Sequence, residues 1–419
     1  MYIRKTVSLL QMPSAKKLAW VAFLTLPIAI ADSAQAQITD YLTVQPIQVC
    51  DDFGLNCANP SLEFFEAETD KIWDQAGIDV LFLGANQLDD TSLLNITSTA
   101  DVDLPGNGQH PDSSVINMWF VNDYVGAFGA ANSSAGRVAI ADSVYSFNSG
   151  VGRLDTIAHE LGHILGLGHN DFGAGGANNL MTTGSIRNVP GSINDIAPDG
   201  ANVDQLTQAQ IDEALTSRFL SPIPEVTVDT FGSTPFSTDD FFHVTFADGP
   251  NNKTLDWLTL DLSPVNAFFD PTDTIAPGLD GSPFALSSLN SISASDIVVS
   301  GDTDGSQLLR IDFLNDAFEV GDSFDFGIDI DLFSKVDQFG AEPFELEGAL
   351  FTFGFSDQYT VTAELRDSIA SSHLPITNSG LTQVPETPTS LPVWISVGSL
   401  IGLSIRTKRR KGGETITYN

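Results

Sequence analysis

Residues 159–169 read HELGHILGLGH and hold three of the six histidines in this 419-residue chain. On an α-helix a spacing of four residues puts two side chains one turn apart on one face, so His159 and His163 can grip a single metal ion. Glu160 follows about 100° further round, where its carboxylate reaches a metal-bound water without ligating the metal. Gly166 can take the positive φ that ends a helix and turns the chain back, which brings in His169 as a third ligand. Three histidines leave one coordination position open, as a catalytic zinc site requires, because water or a scissile carbonyl must occupy it. The spacing predicts a helix over 154–165 whose Ile157, Leu161, Ile164 and Leu165 pack on a sheet. An ordinary amphipathic helix with unrelated histidines is the bland alternative, and the glycine and third histidine at fixed offsets weigh against it.

The match of His159, Glu160, His163, Gly166 and His169 to HExxHxxGxxH has no gaps, and in this the chain resembles the metzincin clan of zinc metallopeptidases. Members of that clan carry a methionine in a tight turn beneath the metal, and the segment 178–184, NNLMTTG, is similar to it, with Met181 as the methionine. Asn170 follows the third histidine where several subfamilies carry a serine or an acidic residue. No tyrosine follows Met181, unlike the astacin and serralysin types, and the compact HELGH core is most similar to matrixin-like enzymes. The resemblance implies a twisted mixed sheet with an active-site helix, Glu160 as general base and a protein or peptide substrate. It also implies that substrate lies antiparallel to an edge strand, which the position just before the helix assigns to Arg137–Ala141. HExxH by itself specifies activated water and not the bond it attacks, so a zinc hydrolase acting on a non-peptide bond is a rival. A second rival is an envelope adhesion or matrix-binding protein with a vestigial peptidase module.

Both ends of the chain read as targeting signals. Residues 1–36 combine Arg4, Lys5, Lys16 and Lys17 with an apolar run from Leu18 to Ile30 and an Ala-Gln-Ala ending, the layout of a secretory signal peptide. That run is too short for a bilayer, which needs about 20 residues. At the other end, residues 384–388 read VPETP, then Leu391 to Ile405 is apolar, then Arg406, Lys408, Arg409, Arg410 and Lys411 follow. This order resembles the PEP-CTERM class of bacterial sorting tails, with Thr387 in place of the usual proline; a plain membrane anchor is the simpler alternative. Both readings put the protein beyond the inner membrane, secreted or held at the cell envelope, with the basic cluster left inside.

Between Gln37 and Ile405 only nine basic residues stand against 52 acidic ones. Such acidity excludes nucleic acid as a partner and is read first as a device for solubility. Calcium is a further cofactor to consider, because Asp302-Thr303-Asp304-Gly305 and the stretch 270–280 offer oxygen ligands. Neither completes an EF-hand pattern, and solvated turns are the preferred reading. Cys50 and Cys57, the only cysteines, form a disulfide in an oxidising compartment; a thiolate capping the zinc is disfavoured because neither lies in a PRCGxPD-like segment.

The order of elements gives an α+β catalytic domain over 37–220. Its strands are expected at 42–49, 78–83, 115–121 and 137–141, with a helix over 60–76 stopped by Gly77. A last helix starts at Thr207 with a Thr207–Gln210 capping box and a Leu206–Ile211 staple, and runs to about Arg218. Residues 221–224, SPIP, form a stiff link and boundary. From 225 to 365 short strands and turns predict an all-β, sandwich-like domain. In it Phe324, Phe326, Ile328, Ile330 and Leu332 alternate with acidic residues placed in water, and His243 is structural. Residues 366–390 are linker and sorting motif, and 391–411 are the hydrophobic segment with its basic tail.

Overall fold

Asp40–Cys50 forms the longest strand, β1, and is buried along nearly its whole length because neighbours flank it on both sides. The computed structural model describes residues 37–98, 109–169, 171–173, 176–232, 234, 239–250, 253–272, 281–288, 290–334 and 340–366. The expected signal peptide over 1–36, the expected sorting motif and hydrophobic segment within 367–419, Asn170 and most of the acidic stretch 270–280 lie outside them. No helix among the described residues is long and apolar enough to cross a membrane.

Around β1 stand β2 (Ile78–Phe82), β3 (Asn86–Asp89), β5 (Ile116–Val121), β7 (Gly129–Asn132), β8 (Arg137–Ala141) and β9 (Leu220–Pro222), while β4 (Asn95–Ile96) pairs with β6 (Asp123–Tyr124) in a small ladder. The main sheet runs β2-β1-β5-β8-β7, parallel except for β7 on β8 and β9 on β1, so the expected mixed sheet is present. Pro46 is tolerated in this central strand because it falls where β1 passes from pairing β2, ending at Val44, to pairing β3, starting at Ile47. Leu220–Pro222, expected in and before a stiff link, instead hydrogen-bonds to β1 as a strand.

Helix α1 is Glu66–Trp73, α2 Ser143–Gly150, α3 Thr156–Ile164 and α4 Gln208–Ala214. The helix expected over 60–76 is therefore only α1 plus a 3₁₀ turn to Ala76. Leu62 and Phe65 sit at φ 50° and 48°, and the Asn59 side chain bonds both the N–H and the carbonyl of Glu63, so side-chain bonds replace the first helical turn. Gly77 ends it at φ 71° as expected. The capping box at Thr207 is present, with Leu206 and Ile211 against the core, but α4 stops at Ala214, one turn short of Arg218. Helices α1 and α3 pack on each other, and Ile157, Leu161, Ile164 and Leu165 of α3 join one buried cluster with the sheet.

Beyond Glu225 every pairing among the described residues is antiparallel. One four-stranded sheet has β10 (Glu225–Thr230), β11 (Phe242–Asp248), β17 (Ser323–Gly327) and β14 (Ala285–Leu286) in that order. A five-stranded sheet has β15 (Ile297–Ser300), β16 (Leu308–Phe313), β12 (Leu255–Asp261), β19 (Leu350–Phe355) and β20 (Thr360–Glu364), and β13 (Ala267–Phe269) pairs with β18 (Ile330–Leu332). Val244, Phe246, Phe324 and Phe326 of the first sheet share a core with Leu258, Leu260, Ile311, Phe351 and Phe353 of the second. The run 324–332 is thus two strands and not one, and the acidic residues on its second half are not in water: Asp329 and Asp331 are 4% and 7% exposed. His243 is structural, as expected, bonding Asp325 on the neighbouring strand.

The two regions share a strand. Tyr41 belongs to β1, yet its side chain is part of the second core, its ring stacked on Tyr359 at 4.1 Å and its hydroxyl donating to Asp357.

Candidate metal centre

The C-terminus of α3 closes as a Schellman motif: Gly166 N–H donates to the His163 carbonyl, Leu167 N–H to the Gly162 carbonyl, and Gly166 sits at φ 94°. That reversal delivers His169 back toward the helix. The ligand nitrogens of His159, His163 and His169 all lie within 4.8 Å of one another, and no other such group of His, Cys, Asp or Glu exists among the described residues. His159 is buried, His163 half-buried and His169 exposed, so the group opens to solvent on the His169 side.

Backbone carbonyls fix which nitrogen of each helical histidine is free. Nδ1 of His159 lies 2.7 Å from the Leu180 carbonyl and Nδ1 of His163 lies 2.7 Å from the Leu167 carbonyl. A carbonyl only accepts, so Nδ1 of His163 carries the proton and its Nε2 presents a lone pair, while Nδ1 of His159 touches both its carbonyl and the Arg187 guanidinium. Nε2 of His159 faces Nε2 of His169 at 3.1 Å. Burial first, and the Arg187 charge second, push the His159 imidazole down to about 2, which keeps it neutral. Three imidazoles whose ring nitrogens converge, two of them oriented by carbonyls, fit Zn²⁺.

Glu160 is 6% exposed. Burial raises its carboxyl to about 8, against the pull of Arg187 and Arg153. It lies against β7: a Cβ on Gly129 would come within 3.0 Å of its Cγ and Oε1. Gly129, Ala130, Ser133, Glu160, His163, His169 and Asp171 line one cleft of about 560 Å³. The edge strand beside that cleft is β7, because β8 is paired on both sides, by β5 and by β7. The assignment of the edge to Arg137–Ala141 is thereby corrected. The sequence GAAN of β7 has no β-branched or aromatic residue, so strand propensity gave no signal for it.

Met181 is fully buried in the turn after the ligands, and Gly162 of the HELGH segment makes room for it, since a Cβ there would lie 2.5 Å from its sulfur. The turn is held by Asn179, whose Oδ1 accepts from Met181 N–H at 2.9 Å and whose amide pairs reciprocally with that of Gln210. Cys50 and Cys57 form the expected disulfide.

Sequence reading missed a buried ion group behind His159. Asp155, fully buried at the N-terminus of α3, takes Arg187 Nε at 2.7 Å on one oxygen and Arg153 Nε at 3.4 Å on the other. The available signal was scarcity: Arg153 and Arg187 are two of only nine basic residues between Gln37 and Ile405, and both flank the metal motif.

No protein-family model matches the chain, and no curated protein does. Solved structures similar to it include archaemetzincin from Methanopyrus kandleri, 14% identical with a TM-score of 0.28 over 42% of this chain and 96% of that one. Archaemetzincin from Archaeoglobus fulgidus, in a structure with malonate, is 15% identical with a TM-score of 0.24 over 41% of this chain and 99% of that one. A zinc-dependent peptidase from Methanocorpusculum labreanum is 12% identical with a TM-score of 0.24 over 41% and 99%.

Proposed function

We propose that this protein is a zinc-dependent endopeptidase, exported from the cell, whose catalytic unit is residues 37–220. The observation that carries this is a group of three converging imidazoles, two of which line one cleft with a buried carboxylate one residue after the first histidine and with an antiparallel edge strand. His159, His163 and His169 hold the metal. Zinc so held acts as a Lewis acid that lowers the pKa of water and polarises a carbonyl. Glu160 accepts the proton of the attacking water and returns it to the leaving amine as the peptide bond breaks. The free side of β7 supplies backbone N–H and carbonyl groups that bind an extended peptide as an added strand. Met181 shapes the floor without entering the chemistry.

The matrixin-like layout, a sandwich-like unit over 225–365 and a PEP-CTERM-like tail that holds the protein at the envelope complete the proposal. Cleavage of a peptide library by zinc-loaded protein, with Glu160→Gln beside it, is the test. The expected result is cleavage by the wild type and zinc without cleavage in the variant. Hydrolysis of esters or glycans in place of peptides, or cleavage that persists in chelator-treated protein, sinks the reading.

A further inference from the structure

Deeper than the ligands lies a guanidinium that no step above uses. Arg187 is 2% exposed at its side chain, and its planar fork spans two pieces of chain that the fold must keep in register. Nε bonds Asp155 at the start of α3, the helix that carries His159 and His163. Nη1 donates to the Leu180 carbonyl at 2.7 Å and reaches the Thr182 carbonyl at 3.4 Å, either side of Met181. That same Leu180 oxygen lies 2.7 Å from His159 Nδ1, and Nη1 lies directly against that nitrogen.

The orientation of His159 therefore depends on two bodies, the helix that bears the ring and the turn that bears its acceptor. These are 21 residues apart in the chain. We propose that Arg187 is a positioning residue of the metal centre, clamping the Leu180 carbonyl to the N-terminus of α3 so that His159 and its acceptor move as one body. The inference rests on the reading of the three histidines as a zinc site and is independent of what the zinc does.

The chemistry suits arginine alone. A guanidinium is planar, holds its donors in a fixed fork and stays charged, so one group can serve a carboxylate and a carbonyl in a single plane. Lysine offers one flexible ammonium that cannot span both. Asp155 offsets part of the charge that Arg187 and Arg153 bring behind the metal ligands.

The full-length protein is measured as wild type, Arg187→Lys and Asp155→Asn by three readouts: zinc affinity from competition with a chromophoric chelator, the d–d spectrum of the cobalt-substituted protein, and the thermal midpoint of the metal-free form. The expected result is a zinc affinity lowered about 10- to 100-fold in Arg187→Lys and less in Asp155→Asn, with a changed cobalt spectrum in protein that remains folded by circular dichroism. Affinity and spectrum within about twofold of the wild type in both variants overturn the proposal, even where the midpoint falls, because that pattern belongs to an ion pair that only stabilises. If Arg187→Lys does not fold, Asp155→Asn decides by the same two readouts. A wild type that binds zinc and cuts no peptide removes the peptidase reading and leaves this one to be decided by the affinities, whereas a wild type that takes up no zinc overturns both.

Discussion

In the region built on the mixed sheet, Arg153, Asp155, His159, Glu160, Arg187 and Asp204 are buried, with both signs of charge present; beyond Glu225 the buried charged residues among those described are Asp270, Asp329 and Asp331, all acidic. Both regions are sheets with large apolar cores. The difference lies in what the scarce cations are used for. A chain with nine bases between Gln37 and Ile405 hides two of them where a positive group must be held in fixed geometry, and leaves Arg310 of the β-region half-exposed beside Asp312. Buried charge in the first region reads as a site, and exposed pairing in the second reads as surface.

The largest effect expected from breaking this contrast is His163→Ala. It removes a ligand, and zinc binding and peptide cleavage should fall by at least about 10³-fold, read by metal analysis and by kcat/KM. Next is Asp155→Ala, which strands Arg187 uncompensated and should destabilise the first region by about 3–5 kcal/mol in chemical denaturation. Its counterpart Asp312→Ala, at a pair 39% and 35% exposed, should cost less than about 1 kcal/mol. Equal costs for the two would erase the distinction. Gly162→Ala should cost about 1–3 kcal/mol and loosen zinc binding, because the new methyl meets the Met181 sulfur in a packed core.

The most gradual change is a slope with pH. Burial first, then Asp331 and Asp270, raise the Asp329 carboxyl from 3.8 to about 7. A folded pKa above the unfolded one means that the native state holds the extra proton, so this contribution is fully present below about pH 4 and is lost as pH rises through about 7. The decline should not exceed about 1.4 kcal/mol per pH unit, and Asp329→Asn should flatten it. A stability profile unchanged in the variant would mean that Asp329 is not the group responsible.

Much of the centre was legible in the chain because local rules govern it. The four-residue spacing of His159 and His163, the positive-φ glycine at 166 and the capping box at Thr207 each act within one or two turns of helix, and all are present. Cys50 and Cys57 left one possible pairing. What escaped notice depends on distant chain segments. The edge strand β7 exists because β8 offers it a partner, despite its glycine and alanines. Asp155 and Arg187 meet across 32 residues, and nothing in either neighbourhood names the other. Asp329 and Asp331 obey the alternation that suggested a solvated face, but the chain bends after Gly327 into a second ladder, and that face is covered. Irregular backbone at 60–65 similarly follows from Asn59 bonding to Glu63, a side-chain choice that an apolar spacing does not reveal.

Tyr41 has a consequence for inheritance. Because β1 gives its backbone to the first sheet and this ring to the second core, and because β9 returns to pair with β1 just before the second core begins, the two regions meet across Tyr41 and not only through the chain that joins them. A lineage that lost everything after Pro222 would expose an aromatic face on its central strand, and a lineage that moved the β-region elsewhere would carry Tyr359 without its stacking partner. The pair is expected to travel through evolution as one unit, with changes at position 41 tracked by changes at position 359.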